Sequence, residues 1–291
     1  MNTLQRQSAA VLGFGLLAIS SSSILTKLCQ APALTIAFYR VAVASAVYFV
    51  LSGARSGAIN RSRFKASALA GFFLAVHFAA WITSLSFTSV ASSVVLVVTS
   101  PIWVTLGGML FLGERPTFRQ IVAVALTLLG SVIISGLDLA MDSRRMIGNG
   151  LALLGAVAVA GYWLVGRRMR AEMDTFSYVA WVYGACAVFT AAAVASLRLP
   201  LVGFTPKTYA YLFAIALFPQ VVGHTSLNWA LKHFSAATVS IVTLGEPIGA
   251  SLLAWLILGE RLTLVQALGG VVILIGVALA IQGEESSRSD R

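Results

Sequence analysis

Apolar residues along this chain gather into long runs, each bounded by charges, proline or short polar turns. Ten such runs can be read: Ala9–Thr26, Leu34–Ser52, Ala66–Ser84, Val90–Leu112, Phe118–Ser135, Gly148–Val165, Phe176–Ser196, Tyr209–Leu231, Ala236–Leu258 and Leu264–Ile281. A hydrocarbon layer of about 30 Å is crossed by roughly 20 residues of α-helix. The pattern therefore predicts an all-α integral membrane protein with ten transmembrane helices.

The second half of the pattern repeats the first. Ser100-Pro101-Ile102 returns as Glu246-Pro247-Ile248, Leu112-Gly113-Glu114-Arg115 as Leu258-Gly259-Glu260-Arg261, and Gln120 as Gln266. The offset is constant, since 247 − 101, 259 − 113 and 266 − 120 all equal 146. This predicts a duplicated five-helix unit, residues 1–141 and 142–282, followed by a polar tail over 283–291 expected to be disordered. An odd number of helices per unit turns the second upside down relative to the first. Such inverted repeats build many secondary transporters, with the substrate site between the halves.

Composition agrees with the helices and changes the reading of the charge. Of 291 residues, 58% are hydrophobic and 10% charged, against about 25% charged in soluble domains. Mean hydropathy is +0.90. The net charge of +10 would suggest nucleic acid in a soluble protein, but here it sorts by side. With the N-terminus inside, the cytoplasmic set holds thirteen: Arg6, Arg55, Arg61, Arg63, Lys65, Arg115, Arg119, Arg167, Arg168, Arg170, Lys232, Arg288 and Arg291. The outer set holds six: Lys27, Arg144, Arg145, Arg198, Lys207 and Arg261. Cytoplasmic loops collect Lys and Arg, so both termini are expected in the cytoplasm, and no nucleic-acid partner is expected.

The N-terminal run, with Arg6 before it and Ser20–Ser23 after it, mimics a secretory signal. Its Gly13-Phe14-Gly15 resembles the surroundings of Gly155, and removing it would leave nine helices, so it is read as the first span. Cys29 and Cys186 form no disulfide framework or metal spacing. The chain shows no phosphate loop, zinc motif or paired acidic cluster, and neither a cofactor nor enzymatic activity is expected.

Phe38-Tyr39-Arg40, Pro101, Glu246-Pro247 and the two Leu-Gly-Glu-Arg turns resemble the drug/metabolite transporter superfamily, in particular its ten-helix EamA-type exporters. Within these the chain looks most similar to the YddG-type aromatic amino-acid exporters of bacterial inner membranes. It departs from many relatives in carrying Ser20-Ser21-Ser22-Ser23 where they have an aromatic-glycine pair. The resemblance implies alternating-access export of amino acids, aromatic ones above all, with the bilayer, a small-molecule substrate and protons as partners. Export of cationic drugs or other metabolites is the alternative within transport. A lipid-modifying enzyme would need acids and nucleophiles at one depth, and a scaffold gives no reason for matched midspan prolines.

Candidate site residues follow from depth. Glu246 lies mid-span, where a carboxylate is costly. It serves proton coupling or a substrate ammonium, or else caps backbone freed by Pro247; since Ser100 also precedes a proline, the bend itself does not need an acid. Pro101 and Pro247 each remove a helical hydrogen bond and are expected hinges. His77 and His224 sit near mid-span as ligands or as satisfied core residues, and His233 is expected in a solvated loop. Arg40 either forks a carboxylate or snorkels to pair with a loop acid; its presence in the family tripeptide whatever the substrate favours the latter. The belt rule makes Trp81, Trp163, Trp181, Trp229 and Trp255 interface residues, though Trp81 and Trp163 are also carried as candidate contacts. Trp103 lies mid-helix, with Tyr39, Phe78 and Tyr183 able to join it in an aromatic wall. Thr99, Ser100 and Asn228 add hydroxyl and amide groups at membrane depth. Glu114 and Glu260 are read as turn-stabilising ion pairs with the Arg beside each.

Overall fold

The computed structural model describes residues 3–53, 59–88, 93, 96–135, 143–258 and 263–289. All regular structure among them is helical. The elements are α1 (Thr3–Leu28), α2 (Ala33–Ser52), α3 (Arg61–Ser84), α4 (Ser100–Gly107) with a π-helical turn at Gly108–Leu112, α5 (Phe118–Ser135), α6 (Ser143–Met169) and α7 (Thr175–Ser196). Then follow α8 (Pro206–Ile215), a π-helical segment (Ala216–His224), α9 (Thr225–Ala230), α10 (Ala236–Thr243), α11 (Glu246–Leu258) and α12 (Leu264–Ser289).

Among the described residues, seven stretches are long and apolar enough to cross a bilayer: Ala10–Leu28, Ala33–Ser52, Arg61–Ser84, Ser143–Met169, Thr175–Ser196, Pro206–Ala230 and Ala236–Leu253. Ser100–Leu112, Phe118–Ile133 and Ala267–Gly283 are shorter apolar helices. The fourth expected run is interrupted at Val98-Thr99, where the chain turns before Pro101, and part of its first half lies outside the described residues. The second Leu-Gly-Glu-Arg turn, at Gly259–Arg261, and the boundary at 141–142 also lie outside them.

Local chemistry explains the starts and stops. Asn60, Asp174, Thr205 and Ser235 each accept a hydrogen bond from the backbone N–H three residues on, satisfying one of the donors a helix start leaves open. Gly113 ends the π turn in the left-handed region at φ 66°, a conformation that costs glycine nothing. At the C-terminus α12 continues through Gly283 to Ser289. Extending a formed helix adds a hydrogen bond for each residue ordered and avoids the cost of nucleation.

Packing is by pairs. Helix α12 lies along α5, α3 along α6, α2 along α7, and α1 against the π-helical segment. Small residues bring the backbones together. A Cβ on Gly130 would stand 2.7 Å from the Gly269 carbonyl of α12, and one on Gly71 would stand 2.8 Å from the Val182 carbonyl of α7.

Polar contacts gather the helix ends into two groups. At one end Arg167 of α6 pairs with Glu114 at 3.3 Å and donates to the Leu231 carbonyl, while Arg63 pairs with Glu172. Glu114 thus reaches across to α6, in place of the expected pairing with the Arg beside it. At the other end Arg144 donates to the Ser86 carbonyl, Thr88 to Asn149, Thr35 to the Pro200 carbonyl and Tyr39 to the Leu201 carbonyl.

Candidate functional site

Between these ends lies a cavity of about 90 Å³. A proline break borders it in each half of the chain. Helix α4 begins at Ser100 with Pro101 in its first turn, and α11 begins at Glu246 with Pro247 next. Each is separated from the preceding helical residues by a two-residue turn, Val98-Thr99 and Leu244-Gly245. Proline cannot donate to the turn before it, so the chain breaks there and irregular backbone at membrane depth borders a cavity. Val98, Ser100, Leu244, Glu246 and Pro247 all line it.

A run of rings forms the facing wall. Trp81 stacks on His77 at 6.1 Å and 5°, His77 packs on Phe78 at 5.1 Å, and Phe78 meets His224 edge-on at 5.4 Å. His224 in turn stacks on Trp163 at 6.2 Å and 13°. All five rings line the cavity. Three come from α3 because His77 and Trp81, four apart, share a helix face, and His224 is delivered by the last residue of the π-helical segment. His77 Nδ1 lies 2.9 Å from the Gly155 carbonyl. A carbonyl only accepts, so Nδ1 carries the proton and Nε2 of the neutral ring remains an acceptor.

Arg40 closes the third side. It is wholly buried, roughly 10 Å below the start of α2 at Ala33 by helical rise. Its Nε donates to Gln220 Oε1 at 2.9 Å, its Nη1 to Ser22 Oγ at 3.4 Å, and its Cζ lies 3.9 Å above the Phe78 ring. The π-helical segment is what presents Gln220, and Tyr48 of α2 steadies that segment by donating to the Val221 carbonyl at 2.6 Å. Snorkelling and pairing with a loop acid are therefore corrected. Arg40 points inward, and no ion pair joins it to Glu246 across the cavity that both line.

Of the residues singled out from the sequence, Ser22, Ser23, Arg40, His77, Phe78, Trp81, Ser100, Trp163, His224, Glu246 and Pro247 line this cavity. The others stand elsewhere. Tyr39 lies at one end of the bundle, against Tyr209. Thr99 accepts from Trp103 Nε1 at 3.3 Å and donates to the Leu96 carbonyl, off the lining. Tyr183 and Asn228 belong to a buried cluster behind the wall, where Asn228 donates to Tyr162 and Tyr183. Trp81 and Trp163 are 7% and 2% exposed, so the belt reading is wrong for both: they face inward from helix ends that are themselves packed. His233 is half-buried against Trp229. Thr243, which the sequence did not mark, completes the polar lining. Arg40 was legible by the rule that a charge inside a span marks function.

Comparisons with known proteins agree on a class. The family model described as the EamA-like transporter family matches residues 8–136 and again 146–282. An uncharacterized transporter of Clostridium kluyveri is 29% identical over 66% of this chain, which spans 64% of that relative's length. An uncharacterized transporter of Archaeoglobus fulgidus is 24% identical over 67% of this chain and 68% of its own. The pseudopaline exporter CntI of Pseudomonas aeruginosa is 25% identical over 84% of each chain. A crystal structure at 16% identity superposes with a TM-score of 0.81 over 97% of this chain and 98% of its own, which shows a shared fold.

Proposed function

We propose that this chain, which belongs to the EamA-like transporter family, exports amino acids and related metabolites across a bacterial inner membrane by alternating access. The observation that carries the reading is the cavity itself. It is lined from both halves, at the paired proline breaks, and joins an aromatic wall to one buried cation and one acid. Discontinuous helices around a midplane site are how secondary transporters hold small polar substrates.

Two inverted five-helix repeats are the architecture we propose for the ten runs. The family model matches twice in tandem, and the packing pairs exchange under the 146-residue offset. Helix α3 on α6 maps onto the π-helical segment on α1, while α2 on α7 and α5 on α12 map onto themselves. Rocking of one repeat against the other, with Pro101 and Pro247 as hinges, would open the cavity to each side in turn.

The cavity is smaller than the roughly 150 Å³ that admits benzene. An aromatic amino acid therefore requires a wider state of the cycle, whereas a small one fits nearer to this geometry. Glu246 and the rings also favour a cationic substrate, the second reading, but a lone cation would be repelled by buried Arg40.

Purified protein in liposomes tests the proposal. Wild type should move amino acids, and a pH gradient should drive them if Glu246 carries the coupled proton. Glu246→Gln keeps shape and one acceptor while removing charge, and should insert normally yet transport at a small fraction of the wild-type rate. Movement of cationic dyes but of no amino acid would replace this reading with the second. Unchanged transport in Glu246→Gln would leave the acid as a bend partner of Pro247.

A further inference from the structure

We infer that Arg40 is the carboxylate-binding residue of the cavity, so that the transported molecule must carry a carboxylate. This rests on the transport reading above and deepens it by naming the recognised group. A guanidinium has five N–H donors in a planar fork. The two hydrogen bonds it makes here leave Nη2 buried with no partner at all. An unpartnered buried donor is costly, more so when charged, and natural interiors rarely leave one. Its direct partners are all neutral, an amide, a hydroxyl and a ring face, and the acid that acts on it, Glu246, does so only across the cavity. The nearest acid on the cavity wall, Glu246, makes no ion pair with it.

The same contacts set the geometry. Gln220 on Nε and Phe78 beneath the plane hold the fork still, which is what a planar oxyanion requires of a receptor. Glu246 then supplies the opposite pole for an ammonium. The order of charges across the cavity is that of an amino acid.

Full-length protein in proteoliposomes, or in detergent for equilibrium binding, tests this with matched compounds: alanine, ethylamine and propionate, and phenylalanine, phenethylamine and 3-phenylpropionate. Wild type should bind the carboxylate-bearing members about ten- to a hundredfold more tightly than the amines, the range expected for hydrogen bonds to a charged group. Arg40→Gln should bring that ratio close to one, both by weakening the carboxylate-bearing members and by removing the charge that repels the amines. Arg40→Lys, which keeps the charge but loses the fork, should retain only part of it. Equal binding of amines and acids by wild type, an unchanged ratio in Arg40→Gln, or binding of no carboxylate-bearing member overturns the inference. If the Arg40 variants do not fold, the wild-type ratio and Gln220→Leu, which should weaken carboxylate binding alone, still decide it. Binding of propionate or 3-phenylpropionate without transport of any amino acid would sink the amino-acid reading and leave the role of Arg40 standing.

Discussion

Trp163 and Trp103 have the same side chain in the same bundle and opposite surroundings. Trp163 is 2% exposed, stacked on His224 and on the cavity wall. Trp103 is half-buried and turned along its own helix to Thr99. Stacking between aromatic groups adds roughly 1 kcal/mol beyond area, about a fivefold change in affinity. Trp163→Ala should therefore raise KM for phenylalanine about fivefold relative to alanine, whereas Trp103→Ala should leave that ratio alone. KM values for both substrates in liposomes check this, and equal ratios in the two variants would remove Trp163 from the site. Position within a helix foretold neither environment, because a tryptophan near a helix end faces lipid or core according to its azimuth against neighbours.

At the scale of elements, close approach and capping make the strongest demands. Gly130→Val should force α5 from α12, since even a Cβ there meets the Gly269 carbonyl and Ile273. Overpacking of this kind costs about 1–3 kcal/mol, so the melting temperature in detergent should fall. Gly150→Val in α6, where nothing lies within 4 Å, should change it little. A second test concerns the start of α7. Partial burial acts to raise the Asp174 carboxyl, but hydrogen bonds from Ser177 and Phe176 and the nearby Arg170 hold it below the ordinary value. A depressed carboxylate stabilises the fold above its unfolded pKa, and that stability is lost as pH falls through the folded value. Asp174→Ala should cost about 1 kcal/mol at neutral pH, with the gap from wild type closing on acidification. Thermal melts at neutral and acidic pH measure it; a gap independent of pH would remove the ionic part of the cap. The caps at Asn60, Asp174, Thr205 and Ser235 were open to sequence reading, but the π-helical segment was not. Pro219 within it suggests only a kink, and the wide turn is held by Tyr48 and Arg40 from another helix.

For the whole molecule, the two groups of helix ends leave a question of which faces the cytoplasm. One group contains Arg61, Arg63, Arg167 and Arg168, the other Arg144 and Arg198, and on the thirteen-to-six count we propose that the first lies inside. In a background with Cys29 and Cys186 replaced, Arg61→Cys and Arg168→Cys should resist an impermeant thiol reagent in whole cells, and Arg198→Cys should react. All three positions are exposed in the fold, so access is decided by the membrane alone. The reverse pattern would invert the orientation and with it the direction of export. Burial pushes the native Cys29 thiol up to about 11, so even unreplaced it would add little background.

By itself the sequence determined the membrane-borne helical character, the 146-residue repetition and the two proline sites. These are properties of runs and offsets: length against bilayer thickness, identity against position, a missing donor at each proline. It also marked Glu246, because a charge in a long apolar run stands out without reference to any neighbour. Only the tertiary structure decided which side chains meet. Helices in lipid pack through small residues on faces that carry little amphipathic signal, so the rotation that turns Trp81, His77 and Phe78 inward is set by contact with α6 and α7. The same holds for Arg40. Its place in the chain allows snorkelling as well as binding, and what fixes its direction is the amide of Gln220, 180 residues away, delivered by a helix whose irregular turn exists only in the packed bundle.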